Sequence, residues 1–260
     1  MKRGQTATLR QPSHDRPPHE RQLLRICGLA SVRALFERDP GRAERLFFEE
    51  RMKGEVGPFC QMLARERKPY RQIDKAELAR VAGTVLHGGV VAIARPRPVV
   101  DFVPDAAREW AKDGKPLLIL DGVGNPHNLG AIVRSAAFFG LERMLLADCP
   151  DQALPSDASY RVAEGGFEHL RLYRAPIPAA LDGLRQHYRV IGTALGQAAI
   201  PAGGSGNRPV ALILGNEETG LDPATLAECD EEVTIPGSGR VQSLNVAAAA
   251  AILIYQLTRP

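Results

Sequence analysis

At 260 residues, 44% hydrophobic, 24% charged and only 5% aromatic, the chain has the make-up of a soluble globular protein, with room for one large domain or two ordinary ones. The net charge of +3 divides unevenly: residues 1–114 carry 22 Lys+Arg against 15 Asp+Glu, and the remainder 11 against 15, so a basic front is expected to meet a polyanion. No apolar run approaches the ~18–20 residues of a membrane span, and the opening MKRGQTATLRQPSHDRPPHE lacks the apolar stretch of a secretory signal, which makes a cytoplasmic protein the expectation.

Residues 1–20 hold no apolar periodicity and read as a disordered tail. Residues 21–97 then alternate. LLRICGLASVRALFER predicts a short strand, a turn at Gly28 and a helix with Val32, Leu35 and Phe36 on one face. RLFFEE predicts a strand, VGPFCQMLARER a helix closed by Pro69, DKAELARVAG a helix begun by Asp74, and GGVVAIARP a strand ended by Pro96. Together these make a small α/β domain. The proline-rich ARPRPVVDFVP suits a linker over residues 98–114, with DAAREWAKDG a helix leading into the second domain. Over residues 115–260 the alternation resumes with PLLILDGV, LGAIVRSAAFFG, ERMLLAD, AALDGLRQHY, RVIGTAL, RPVALILG, EEVTIPG and NVAAAAAILIYQL. Apolar strands between helices predict an α/β domain with a mostly parallel sheet covered on both faces, whose ligands sit beyond the strands' carboxyl ends. Cys27, Cys60, Cys149 and Cys229 are widely spaced, and no CxxC occurs. Neither a zinc cluster nor a disulfide framework is expected, and the four read as ordinary buried thiols.

Three loops of the second domain have the residue types for chemistry. In DGVGNPHNLGAIVRSAAFFG a strand ends at Asp121, a glycine-rich turn follows, and Asn128 is the expected cap of a helix from Leu129 that closes at Gly140. Arg134 sits there among Ala131, Ile132, Val133, Ala136 and Ala137 and needs an anionic or carbonyl partner, which a structural carboxylate alone would satisfy. Gly122-x-Gly124 lacks a third glycine, the position being His127, so a dinucleotide fingerprint is weak; no GxxxxGK[ST] occurs. In VALILGNEETGL a buried strand runs into Gly215, Asn216, Glu217, Glu218 and Gly220, where bare backbone can approach a ligand or simply turn in solvent. In VTIPGSGRVQSLNVAAAAAILIYQL a strand ends at Ile235, and Ser243 or Asn245 caps the last helix. The small residues Ala247 to Ala251, continued by Ile252, Leu253 and Tyr255, offer a close-packing subunit face.

Taken in order, Asn128-Leu-Gly-Ala-Ile-Val-Arg134, Gly215-Asn-Glu217-Glu-Thr-Gly220-Leu, Ile235-Pro and Ser243-Leu-Asn245-Val-Ala resemble the three signature motifs of the SpoU/TrmH family within the SPOUT class. The match covers about residues 115–260, and residues 21–97 are similar to the ribosomal-protein-like substrate-binding domain of many relatives. The resemblance implies a deep trefoil knot at the carboxyl end, a homodimer through the knot region, and S-adenosyl-L-methionine (SAM) as methyl donor. It implies transfer to a ribose 2′-hydroxyl of rRNA or tRNA. Largely main-chain SAM contacts then fall at Thr193, Ala194, Gly215, Ile235 and Leu244. Arg134 is the principal catalytic candidate, with Asn128, Glu217, Ser243 and Asn245 orienting it, the ribose and the cofactor loops. Guanidinium is effectively always protonated, so Arg134 is expected to hold an oxygen electrostatically and leaves the proton acceptor open. Glu164, in RVAEGGFE, stands where many relatives have a small residue, and bears on the choice of target. Two other readings remain: a non-catalytic RNA-binding protein with a relict SAM fold, and a dinucleotide enzyme.

Overall fold

Residues 23–194 and 208–259 are described by the computed structural model; the tail expected over residues 1–20 lies outside them. Strand β1 (Leu24–Cys27) turns at Gly28, whose φ of 88° only glycine adopts readily, into helix α1 (Leu29–Arg38), and Val32, Leu35 and Phe36 are buried as their spacing predicts. There follow β2 (Ala43–Phe48), α2 (Lys53–Arg65), β3 (Tyr70–Gln72), α3 (Lys75–Ala82) and β4 (Val90–Ala94). The Asp74 carboxylate accepts the Glu77 N–H at 2.8 Å and caps α3. These strands make a four-stranded sheet in the order β1-β4-β2-β3, antiparallel except between β2 and β3.

The stretch expected as a linker is instead built into the next unit. Val99–Asp101 is a strand, β5, pairing in parallel with Leu172–Arg174, and Asp105–Ala111 is helix α4. Buried Trp110 of α4 packs on Phe102 and Tyr173. Pro96, Pro98 and Pro104 lack the amide hydrogen a ladder needs, which keeps β5 to three residues at the sheet edge.

The second unit continues with β6 (Leu117–Asp121), α5 (Pro126–Phe138), β7 (Arg143–Ala147), α6 (Asp157–Ala163), β8 (Arg171–Ala175), α7 (Ile177–Arg185), β9 (Arg189–Thr193), β10 (Val210–Gly215), α8 (Pro223–Ala227), β11 (Glu231–Val233) and α9 (Val246–Thr258). Its sheet runs β11-β9-β10-β6-β7-β8-β5 with every neighbouring pair parallel. Leu118 and Leu120 of β6 face one side with Ile132 and Leu253, while Leu117 and Ile119 face the other with Trp110 and Leu181, so both faces are covered. Leu253, read from sequence as part of a subunit face, is thus in the protomer's own core, whereas Ile252 and Tyr255 are exposed.

The two units share one continuous core, in which Leu35, Phe36 and Leu46 join Leu118, Ile132 and Tyr160. Ion pairs reinforce the join. Arg25 meets Asp157 at 3.0 Å, and buried Arg42 meets buried Glu168 at 2.6 Å. Among the described residues no helix is long and apolar enough to cross a membrane, and no cluster of three or more His, Cys, Asp or Glu side chains is placed to hold a metal ion. All four cysteines are free; of the four expected to be buried only Cys27 is, Cys60 and Cys229 are half-buried, and Cys149 is exposed in the stretch between β7 and α6.

Candidate active site

Parallel strands β6, β9 and β10 end at the same edge of the sheet, and the loops that leave them are tied together by side chains. Helix α5 starts at Pro126, earlier than expected, because Asn125 rather than Asn128 is its cap: the Asn125 side chain accepts the His127 N–H at 2.8 Å. That frees Asn128, in the first turn, to reach across the site. Its Nδ2 donates to Glu217 Oε1 at 2.7 Å, and its Oδ1 accepts from Asn245 Nδ2 at 3.0 Å. The Glu217 carboxylate also accepts the N–H of Gly124 at 3.2 Å and of Asn125 at 3.4 Å. Burial pushes the Glu217 pKa up, but the Asn128 amide and the backbone N–H groups outweigh it and hold the carboxyl below its ordinary value. Asn245 at the same time caps α9 by accepting the Ala247 N–H at 2.9 Å. One asparagine therefore joins the three loops that sequence order separates.

Two residues to which the sequence reading gave no role strengthen this assembly. Asn216 Nδ2 donates to Gly122 O at 2.9 Å. Buried Gln152 accepts the N–H of Gly122 and Val123 at 3.1 and 3.2 Å and donates to Val123 O and Ala153 O. A glutamine in a polar stretch gives no periodic signal, so Gln152 was not legible. Asn216, beside Glu217 in the strand-end turn, was within reach of the reading.

Of the five residues expected at the cofactor, four lie at the carboxyl ends of β9, β10 and β11 or just beyond. The Thr193 hydroxyl donates to Ile213 O at 3.0 Å, Ala194 N donates to Val233 O at 2.9 Å, and half-buried Ile235 packs on the core. At Gly215 an added Cβ would lie 2.4 Å from the Gly220 carbonyl carbon, so only glycine fits where the chain doubles back. Leu244 is exposed and farther along the third loop. Among the described residues, no backbone N–H or C=O from Ile235 to Leu244 pairs with another main-chain group. The main chain open at Ile235 and Leu244 is of the kind that reads a cofactor through backbone contacts, and there the residues present fit the SAM role the resemblance implies.

Ser243 is exposed, and among the described residues no hydrogen bond ties it to Asn128, Glu217 or Arg134. Arg134 also stands outside the amide network. It lies about 9 Å farther along α5 than Asn128, and its guanidinium meets the Glu164 carboxylate at 2.9 Å. The partner that an arginine on an apolar helix demands is thus Glu164. Both side chains are about half exposed, at 56% and 53%.

An all-parallel sheet with loops converging at its carboxyl edge defines an α/β enzyme-type domain, here joined to a small mixed-sheet unit. Residues 115–255 match the SpoU rRNA Methylase family, and residues 25–100 match the RNA 2′-O ribose methyltransferase substrate-binding domain. The chain belongs to the SpoU rRNA methylase family. It is 35% identical to the 23S rRNA (guanosine-2′-O-)-methyltransferase RlmB of Acinetobacter baylyi, over 89% of this chain and 95% of that one. It is 33% identical to the uncharacterized tRNA/rRNA methyltransferase YfiF of Escherichia coli O157:H7, over 90% and 68%. Among solved structures, an RNA 2′-O ribose methyltransferase superposes with a TM-score of 0.68 at 27% identity, over 91% and 88% of the two chains. The AdoMet-bound rRNA methyltransferase of Sinorhizobium meliloti shares the fold, with a TM-score of 0.75 at 22% identity over 91% and 87%.

Proposed function

We propose that this chain methylates a ribose 2′-hydroxyl of rRNA, with SAM as the methyl donor. The observation that carries the proposal is the Asn245–Asn128–Glu217 chain of hydrogen bonds, which brings the three motif loops into one assembly. Family membership supports the reaction class. The guanosine of 23S rRNA in the A. baylyi relative's name supports rRNA as the target, and an rRNA target makes the cytoplasm the place of work.

SAM supplies a methyl group made electrophilic by its sulfonium. Backbone groups at Thr193, Ala194, Gly215, Ile235 and Leu244 hold it in this reading. Asn128, Glu217 and Asn245 keep the loops in register, and Ser243, exposed in the third loop, is given the orienting of the incoming ribose. Arg134 holds the attacking oxygen or the neighbouring phosphate, stabilising charge that develops on oxygen. Helix α9 returns from the β11 edge to pack on α5 and β10, which supports the family's trefoil knot. Exposed Phe138 and Tyr255 flank Phe139, with ring centroids 5.1 and 5.9 Å from it, which supports a homodimer across this face.

The test is transfer of tritiated methyl from SAM to total RNA of cells lacking the gene. Arg134→Ala is expected to lose turnover by about 10²- to 10³-fold, with SAM affinity by calorimetry unchanged. Native turnover in that variant overturns the role given to Arg134; transfer to no RNA by the unaltered protein overturns the activity.

A further inference from the structure

Methylation of a hydroxyl releases a proton, and Arg134 is in no position to take it, because a guanidinium stays protonated in proteins. Glu217 is equally unsuited. Both of its oxygens already accept hydrogen bonds, from Asn128, Asn125 and Gly124, and those bonds hold the two loops together. Asp121, at the end of β6, accepts the Thr225 hydroxyl at 2.9 Å and is turned toward α8. Glu164 is different. Among the described residues the one partner its carboxylate has is Arg134, and half of the side chain is open to whatever approaches that guanidinium.

The local backbone shows how the carboxylate is aimed. Ser156 and Ser159 form a reciprocal capping box that fixes the start of α6. Gly130 lets α6 lie directly on α5: a Cβ there would stand 2.4 Å from Ser159 O. At the far end of α6, Glu164 adopts the left-handed conformation with φ 45°, in the cap position where glycine is the low-cost residue. Gly165 and Gly166 continue the turn, one against α1 and one against α5. A Cβ on Gly165 would meet the Ala34 methyl at 3.0 Å, and one on Gly166 would meet Val133 O at 3.1 Å and Arg134 Cα at 3.2 Å. The turn is therefore wedged against the backbone of Arg134 itself. A side chain kept in a left-handed conformation that non-glycine residues rarely adopt, on a turn without slack, is a reason to look for a function.

We propose that Glu164 is the proton acceptor of the reaction, oriented by its ion pair with Arg134. The inference rests on the role given to Arg134 above. As the 2′-oxygen bonds to the methyl carbon and the carbon–sulfur bond breaks with its electron pair left on sulfur, the hydroxyl proton passes to the Glu164 carboxylate and then to solvent. A carboxylate is a weak base towards a free alcohol, but the oxygen grows more acidic as it donates electron density to carbon, so the transfer is favourable where it is needed.

The experiment compares the unaltered protein, Glu164→Gln, Glu164→Asp and Glu164→Gly in single-turnover transfer to total RNA from cells lacking the gene, with Arg134→Ala in parallel. RNA affinity is read separately by filter binding. Glu164→Gln is expected to lose about 10²-fold or more in rate while binding RNA and SAM as the unaltered protein does. Glu164→Asp should regain part of the rate, and Glu164→Gly should be accelerated by added formate in proportion to its concentration. A native rate in Glu164→Gln, with Arg134→Ala inactive, overturns the proton-acceptor role and leaves the Arg134 reading standing. Native turnover in Arg134→Ala defeats that earlier reading instead. Tighter RNA binding with a faster rate in Glu164→Gln shows a carboxylate that merely competes with RNA for Arg134, and also overturns the proposal, as does a Glu164→Gly protein that formate leaves unchanged.

Discussion

Glu164 and Glu168 lie four residues apart, each against an arginine, and their surroundings give them opposite work. Arg42 and Glu168 are 7% and 1% exposed, with Arg97 adding a second guanidinium at 3.3 Å, and their place is between the two units. Arg134 and Glu164 are about half exposed, both on the second unit, and neither is needed to join anything. Identical functional groups thus differ in their access to water and in the number of guanidinium partners. In the interior a charge separated from its partner cannot be resolvated, so the buried pair holds structure in place. At the surface a pair exchanges readily with solvent or a ligand and contributes about 0–1 kcal/mol, which leaves it free for chemistry.

The largest stability effect is therefore expected at Glu168. Glu168→Ala leaves Arg42 and Arg97 without their carboxylate and should cost about 3–5 kcal/mol, read from urea unfolding. A loss under about 1 kcal/mol would erase the contrast between the pairs. The pH dependence sharpens it. Burial raises the Glu168 pKa above the ordinary 4.5, against the pull of Arg42 and Arg97. Between that ordinary value and the raised one, the native state binds more protons than the unfolded chain. Stability contributed by this group accordingly falls as pH rises through that window, and Glu168→Gln should remove the slope.

A middle case is Glu217, exposed yet tied to three donors. Its lowered pKa gives the opposite sign: the stabilising contribution is present above the ordinary 4.5 and is lost as pH falls below it towards the depressed value. Glu217→Gln keeps one acceptor but puts an amide where the carboxylate accepts from backbone. We expect a loss of about 1 kcal/mol, a shallower acid transition, and weaker SAM binding by calorimetry as the loops loosen. An unchanged acid transition would show that Glu217 takes no part in fixing them.

Most of this arrangement was legible, and the exceptions have physical causes. Strands such as Leu117–Asp121 and Val210–Gly215 are continuous apolar runs, as a sheet buried on both faces requires, and helix α3 announces its cap, Asp74. Helix α6 and strand β8 were missed because α6 is one short polar-faced turn sequence and β8 reads RLYRA, with charges at each side of its apolar positions. Their pairing is decided by neighbours far along the chain. The same holds for the site. The motif residues were nameable, and Asn125 before Pro126 was a local cap signal left unused, but that the carboxylate of Glu164 would face Arg134 depends on how α5 and α6 cross at Gly130.

The smallest stability effect is expected at Glu164, and its smallness matters. Glu164→Gly removes a surface ion pair worth about 0–1 kcal/mol but also relieves a left-handed conformation that costs a non-glycine residue about 1 kcal/mol. Greater freedom of the unfolded chain opposes the relief. These terms nearly cancel, so the variant should unfold within about 1 kcal/mol of the unaltered protein, well inside what Glu168→Ala loses. If catalysis falls in Glu164→Gly while the unfolding midpoint stays put, the strained turn is kept for its chemistry. A drop of more than about 2 kcal/mol would instead make Glu164 a second structural tie, and the division of labour between two carboxylates one helical turn apart would fail.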